Sequence, residues 1–266
     1  MSNEPIHSSY KNAPISEFIC GVIFQNNILS SIIHRLITEL KKDYKHYQVL
    51  PAIFEEELQG VKVFQNMNYD AAGFTLYRLY SQERRIIVQL QNNLLLVNWV
   101  RQDDEKVGSY PGFHNIFSTF QSIYDRVVEM INEVRPELDL HSHIKSFTLH
   151  YQDRVIWKEY VESFASIDEI VNLQIPSIRG ENGEFNPVNN IASKYTLPIE
   201  EIGGYAIITV STGTDPRNKH LLVVECRMKG KSESKALNSW FEKAHNLQLN
   251  FFDDIFTERI RETWKL

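Results

Sequence analysis

The sequence predicts an α+β fold of two similar halves, each an antiparallel sheet packed against a long helix. Three observations carry this expectation. Arg85 to Leu90 and Leu94 to Val100 are rich in strand formers and flank Asn92-Asn93, a short turn between two apolar runs. Phe113, Ile116, Phe120, Ile123, Val127, Ile131 and Val134 recur at steps of three and four, an amphipathic helical stripe ended by Pro136. The order strand, helix, strands, helix then occurs twice, over 14–135 and again over 140–266. On this basis residues 1–13 form a flexible arm, 14–136 an N-terminal half, and 137–266 a C-terminal half ending in a long helix.

The first element follows Pro14 and runs from Ile15 to Phe24 as a strand. Asn26 or Asn27 caps the next, a helix whose Ile28, Leu29, Ile32, Ile33, Leu36, Ile37 and Leu40 share a face and which ends in Lys41-Lys42. Residues 61–66 and 74–80 read as strands ahead of the central hairpin, whose Asn92-Asn93 turn is expected to use positive φ angles. Residues 137–144 read as a connector, and Lys145 to Tyr151 as a strand with Phe147, Leu149 and Tyr151 on one face. Residues 166–173 read as a short helix capped by Ser166, and Gly180 to Asn190 as a loop. Strands return at Tyr205–Thr212 and His220–Met228, joined by the turn chemistry of Gly213 to Asn218. A long helix then spans about Ser234 to Trp264, with Leu237, Trp240, Ala244, Leu247, Phe251 and Ile255 as its first apolar stripe and Thr257 at a break.

Composition narrows the class. The chain has 266 residues, 42% of them hydrophobic and 23% charged, which suits a folded globular protein rather than a disordered one. The net charge of −6 does not indicate a nucleic-acid binder, which normally presents a basic face. The apolar runs are too short to span a membrane, and the polar N-terminus shows no signal peptide. A soluble, cytoplasmic protein is expected. Cys20 and Cys226 each lie in an apolar run and read as small buried hydrophobes rather than a disulfide.

The most suggestive chemistry is Asp139-Leu140-His141-Ser142-His143. On a strand, Asp139, His141 and His143 would share a face and offer a carboxylate and two imidazoles to zinc or a transition metal. No second cluster completes such a site, and no catalytic set is identified. His245 on the last helix reads as a residue that orients a neighbour, with Glu242 three residues away for a local contact, and together with Arg84, Arg85, Trp99 and Arg101 it makes up the candidate binding residues. Arg84-Arg85 opens the central hairpin and Arg101 closes it next to Trp99. Lys229, Lys231 and Lys235 flank the second hairpin. If equivalent ends coincide, these cations form one basic edge for an acidic protein or nucleic acid. The P-loop, the dinucleotide glycine fingerprint, G-x-S-x-G and paired C-x-x-C are all absent, and no cofactor is expected.

Several blocks carry a resemblance. Asn12-Ala13-Pro14-Ile15 leads into Phe18-Ile19-Cys20-Gly21-Val22-Ile23-Phe24. The hairpin from Ile87 to Arg101 ends in Asn98-Trp99, Tyr110-Pro111 opens a helix, and Trp240, His245, Phe251, Arg261 and Trp264 follow in the last helical segment. Together these resemble the signature of an uncharacterised, sporadically distributed family of bacterial proteins. The resemblance implies an accessory role at mobile or defence-type loci and supplies no catalytic residues.

These readings lead to an expected non-enzymatic interaction or accessory protein with a protein partner or a second copy of itself. One alternative is a helix-grip module holding an apolar ligand between sheet and long helix. The other is a metal-dependent hydrolase or nuclease built on Asp139, His141 and His143.

Overall fold

A run rich in strand formers makes Ile15–Phe24 a strand, β1, whose Phe18, Cys20, Val22 and Phe24 belong to the main core. The computed structural model describes residues 12–25, 27–53, 75–102, 109–162, 164–172, 192–215, 217, 219–231 and 237–265. Eight further strands follow: β2 (His46–Pro51), β3 (Thr75–Tyr80), β4 (Ile86–Gln91), β5 (Leu94–Val100), β6 (Ile144–Ile156), β7 (Ala192–Ile199), β8 (Gly204–Thr214) and β9 (His220–Gly230). They form one antiparallel sheet in the order β2-β3-β4-β5-β1-β6-β9-β8-β7. Among the described residues four α-helices, α1 (Ile33–Leu40), α2 (Phe113–Val134), α3 (Leu237–Ile255) and α4 (Glu258–Lys265), complete an α+β fold.

β1 sits at the middle of the sheet because it is apolar on both sides and can be covered on both edges. It pairs with β5 from Glu17↔Val100 to Ile23↔Leu94 and with β6 from Ile15↔Asp153 to Phe24↔Ile144. The stretches before and after residue 136 therefore share one sheet and one continuous core. At Gly21 the strands approach so closely that a Cβ would lie 2.2 Å from the Leu95 carbonyl oxygen, which only glycine permits.

α2 and α3 lie antiparallel over one face of the sheet. Phe113 stacks on His245, Phe117 and Phe120 meet Phe241, and Gln121 donates to Asn238 at 2.7 Å. Phe147 of β6 fits beneath Trp240, whose indole N–H donates to the Ile202 carbonyl at 2.9 Å. α1 packs beside α2 and is tied to it by Arg35–Glu133 and by Arg126–Asp43 at 3.5 Å. No helix among the described residues is long and apolar enough to cross a membrane.

Most expected elements form where the pattern places them, and the departures have local causes. The Asn92-Asn93 hairpin forms, yet among described non-glycine residues only Arg84 has positive φ. The Asn92 and Asn93 carbonyls instead accept from the backbone N–H of Leu29 and Phe24, which sets the turn's shape from outside. The expected helix 28–40 divides into a 3-10 turn at Ile28–Ser31 followed by α1. Residues 164–169 are 3-10 rather than α, kinked at Ser166. In α3 the buried seam is Leu237, Trp240, Phe241, Ala244, Gln248 and Phe252, while Leu247, Phe251 and Ile255 are partly exposed. Thr257 does mark the break before α4: its hydroxyl takes the Ile260 N–H at 3.4 Å and donates to the Glu169 carbonyl at 2.6 Å. Cys20 and Cys226 are buried free thiols. The expected strand 61–66, the 180–190 loop and the 1–11 part of the arm lie outside the described residues.

Candidate functional site

The expected metal cluster does not assemble. Asp139 to His143 is not a strand: Leu140–His143 is a 3-10 turn, and β6 begins only at Ile144, so the three side chains fan apart. His141 Nδ1 bonds the Tyr124 hydroxyl at 3.1 Å, whereas His143 Nδ1 lies 3.0 Å from the Asp139 carbonyl and 3.1 Å from Ser142 Oγ. Among the described residues no group of three His, Cys, Asp or Glu side chains could hold a metal ion.

The five expected binding residues separate into three places. Trp99 is buried on the helix-covered face against Tyr110, with ring centroids 5.3 Å apart, and presents no ring to a ligand. His245 lies between α2 and the sheet, flat on Phe113 and sharing a 2.8 Å hydrogen bond with the Tyr151 hydroxyl. Its expected neighbour Glu242 instead faces His114, at 3.7 Å. Arg84, Arg85 and Arg101 stay together at one end of the sheet, where Gln102 donates to the Arg84 carbonyl at 3.1 Å. Lys229 and Lys231 are at the opposite end, because β9 starts beside Arg101's end and runs away from it. The single basic edge expected from the sequence is thus divided, and Lys235 lies outside the described residues.

What the sheet end does build is a cleft. Here β5, β6 and β8 finish and β1 and β9 begin, and the space between them measures about 210 Å³. Arg101, Arg154, Arg217 and Lys219 line it together with the carboxylates Glu159 and Asp215. Four cations against two carboxylates leave a local charge of +2, in a chain whose net charge is −6. Each cation comes from a different position: Arg101 just past β5, Arg154 near the end of β6, and Arg217 and Lys219 in the β8–β9 turn.

The cleft is organised by its own hydrogen bonds. Asp215 Oδ1 accepts the backbone N–H of Arg217 at 2.9 Å and of Lys219 at 2.7 Å, an Asx-type turn that fixes where both side chains begin. Arg154 Nε donates to Gln152 Oε1 at 2.9 Å, and the same oxygen accepts from Ser16 Oγ at 3.1 Å. The Arg154 guanidinium also acts on the Glu17 carboxyl, which it pulls down against the effect of burial. Tyr160, whose hydroxyl accepts the Trp264 indole N–H at 3.3 Å, also lines the cleft and carries one O–H donor of its own.

Behind the cleft wall lies Asp153, fully buried between β1 and β9. Burial pushes its carboxyl up to about 7, against the pull of the Arg101 guanidinium. The phenols of Tyr110 and Tyr151 are pushed well above their ordinary range by burial as well, which keeps this layer uncharged. The opposite sheet face carries a polar row: Arg78 Nε donates to Gln89 at 2.8 Å, Gln89 to Asn98 at 2.9 Å, and Asn98 to Glu17 at 3.1 Å. Burial raises the Glu17 carboxyl, with Asn98 opposing. A larger hollow of about 370 Å³ opens beside α1 and α2, but its single cation, Arg126, faces Asp43.

Sequence reading found Arg101 and missed Arg154, Arg217 and Lys219 as groups lining the cleft. The available signal was the run Asp215-Pro216-Arg217-Asn218-Lys219, a turn with two cations at its tip. Comparison of the chain with family models, curated proteins and solved structures gives no match.

Proposed function

We propose that this chain is a non-enzymatic interaction protein that receives an acidic element of a protein partner in the strand-end cleft. One observation carries the reading: four cations from three separate chain segments converge on a single hollow in an otherwise acidic protein. A cleft lined by one sign of charge concentrates field and steers an oppositely charged group toward it. The small extent of the charge favours a discrete acidic side chain over a nucleic-acid backbone, which needs a continuous basic track.

Three further features support it. The histidines that would serve catalysis are occupied in the structure, His141 by Tyr124 and His245 by Tyr151 and Phe113. The space a helix-grip ligand would need is filled by Phe117, Phe147, Trp240 and Phe241. Both sheet edges are guarded against strand addition, β7 by Lys194 and Pro198 and β2 by its terminal Pro51, so recognition falls to side chains rather than to edge pairing. The resemblance to a sporadically distributed bacterial family agrees with an accessory role. The chain order also fits two related halves. In each, the first strand pairs with the last strand of the meander that follows it, β1 with β5 and β6 with β9, and a helix comes next.

The test is isolation of the tagged protein from its host at native expression, beside an Arg154→Glu/Arg217→Glu variant of equal melting temperature. The reading expects a stoichiometric acidic protein with the parent chain and its loss from the variant. Recovery of the parent chain alone, or equal recovery of the partner by both, contradicts it.

A further inference from the structure

We propose that the acidic element taken by the cleft is a phosphoryl monoester rather than a carboxylate. This rests on the reading of the cleft as an anion site and names its ligand class.

The argument begins with charge. The lining carries +2 near neutral pH, which a single carboxylate halves and a phosphoryl dianion cancels. Geometry points the same way. One guanidinium fork saturates a carboxylate, whereas three arginines, a lysine and the Tyr160 hydroxyl offer donors from several directions, as a tetrahedral group with three terminal oxygens requires. The donors come from three chain segments, Arg101 just past β5, Arg154 near the end of β6, and Arg217 and Lys219 in the β8–β9 turn.

Size and organisation agree. A volume of 210 Å³ equals the space of about seven waters, room for a phosphoryl group, its ester oxygen and the first atoms beyond. One oxygen of the Asp215 carboxylate, Oδ1, accepts two backbone N–H groups of the turn. It thereby fixes where the Arg217 and Lys219 side chains begin, while its charge remains in the cleft's sum. Arg154 is likewise held at Nε by Gln152, which restrains its guanidinium. Pre-organisation of this kind lowers the ordering cost of binding.

Titration calorimetry on the full chain at fixed ionic strength, with phenyl phosphate against phenylacetate as paired probes, tests the proposal. Phenyl phosphate is expected to bind at least tenfold tighter. The Arg154→Gln/Arg217→Gln variant, checked for an unchanged melting temperature, loses at least tenfold of that affinity, and Lys219→Gln loses a smaller part. A phosphoserine-containing blocked tripeptide against inorganic phosphate separates a protein-borne ester from a free one. Equal affinity for the two phenyl probes, abolished by the double variant, overturns the phosphoryl assignment while the acidic-partner reading stands. Affinity for neither probe, or affinity unchanged by both variants, overturns the cleft as an anion site and the reading beneath it.

Discussion

The carboxylate of Asp215 holds the backbone nitrogen of Lys219 at 2.7 Å and so fixes the turn that carries two of the four cleft cations. Removing this acid by two different substitutions has opposite expected effects on anion affinity. Asp215→Asn keeps an acceptor at the same atom and deletes a negative charge, so phenyl phosphate binds several-fold tighter. Asp215→Ala deletes both, frees the turn, and binds several-fold more weakly despite the gain in net positive charge. Calorimetric titration of the two variants checks this. Tighter binding by both reduces Asp215 to a simple point charge.

Two of the fully buried titratable groups of β6, Asp153 and His150, act on stability in opposite senses. Asp153 holds its proton up to about 7 when folded but gives it up near 3.8 when unfolded, so the native state binds more protons in between and stability falls as pH rises through that window. Arg101, Tyr110, Tyr151 and Cys226 are the ionisable groups around it. His150, pushed down to about 3 by burial and by Arg227, stays neutral when folded but is protonated below 6.5 when unfolded, so stability falls as pH drops from 6.5. Each slope is at most about 1.4 kcal/mol per pH unit, and the two offset each other between about pH 4 and 6.5. Asp153→Asn is expected to be more stable than the parent at pH 8 and to lose stability on acidification. His150→Gln is expected to gain stability from pH 7 toward 4. Urea unfolding at pH 4.5, 6, 7 and 8 reads both slopes, and parallel curves for all three proteins refute the assignment.

Gly21 is the position where the middle of the sheet tolerates no side chain. A Cβ there meets the Leu95 carbonyl oxygen at 2.2 Å and Leu96 Cα at 2.8 Å, both backbone atoms of β5. Gly21→Ala is expected to cost about 3 kcal/mol by overpacking. Gly213→Ala, with nothing within 4 Å of its added Cβ, stays within about 0.5 kcal/mol of the parent. Thermal and urea unfolding compare the two. A silent Gly21→Ala would mean that β1 and β5 are not in the described register.

His245 orients Tyr151 rather than acting on a ligand. A double-mutant cycle with Tyr151→Phe and His245→Phe is expected to show a coupling of about 1 kcal/mol in stability, the worth of one buried hydrogen bond. Anion affinity at the cleft is expected to remain as in the parent. A loss of phenyl phosphate binding in His245→Phe at unchanged melting temperature contradicts the structural role.

The sheet was legible where runs of strand formers are bounded by turn chemistry. β1, β4, β5 and β9 announce themselves by strand formers, and α2 by a stripe that Phe113, Phe117, Phe120 and Phe241 turn into an aromatic layer. β2 and β7 gave no such signal because, as edge strands, they expose Tyr47, Val49, Tyr195 and Leu197 on the same face that their inner neighbours bury. The site was legible in part. Arg101 stands out beside a strong hairpin, but Arg154 belongs to a strand whose full length to Ile156 the pattern did not show. The pairing of that strand end with the 215–219 turn depends on β6 lying beside β9, a tertiary fact no local window contains. Strand direction also decides against Lys229, which the supposed coincidence of equivalent hairpin ends places with Arg101.

The most direct measurement is a two-dimensional nitrogen–proton spectrum of arginine side chains during titration of the full chain with phenyl phosphate. The account predicts that the Nε–H signals of Arg101, Arg154 and Arg217 move together and saturate with one dissociation constant, while Arg35 and Arg126, engaged with Glu133 and Asp43 elsewhere, stay fixed. Uniform small drifts of all arginines without saturation would contradict it.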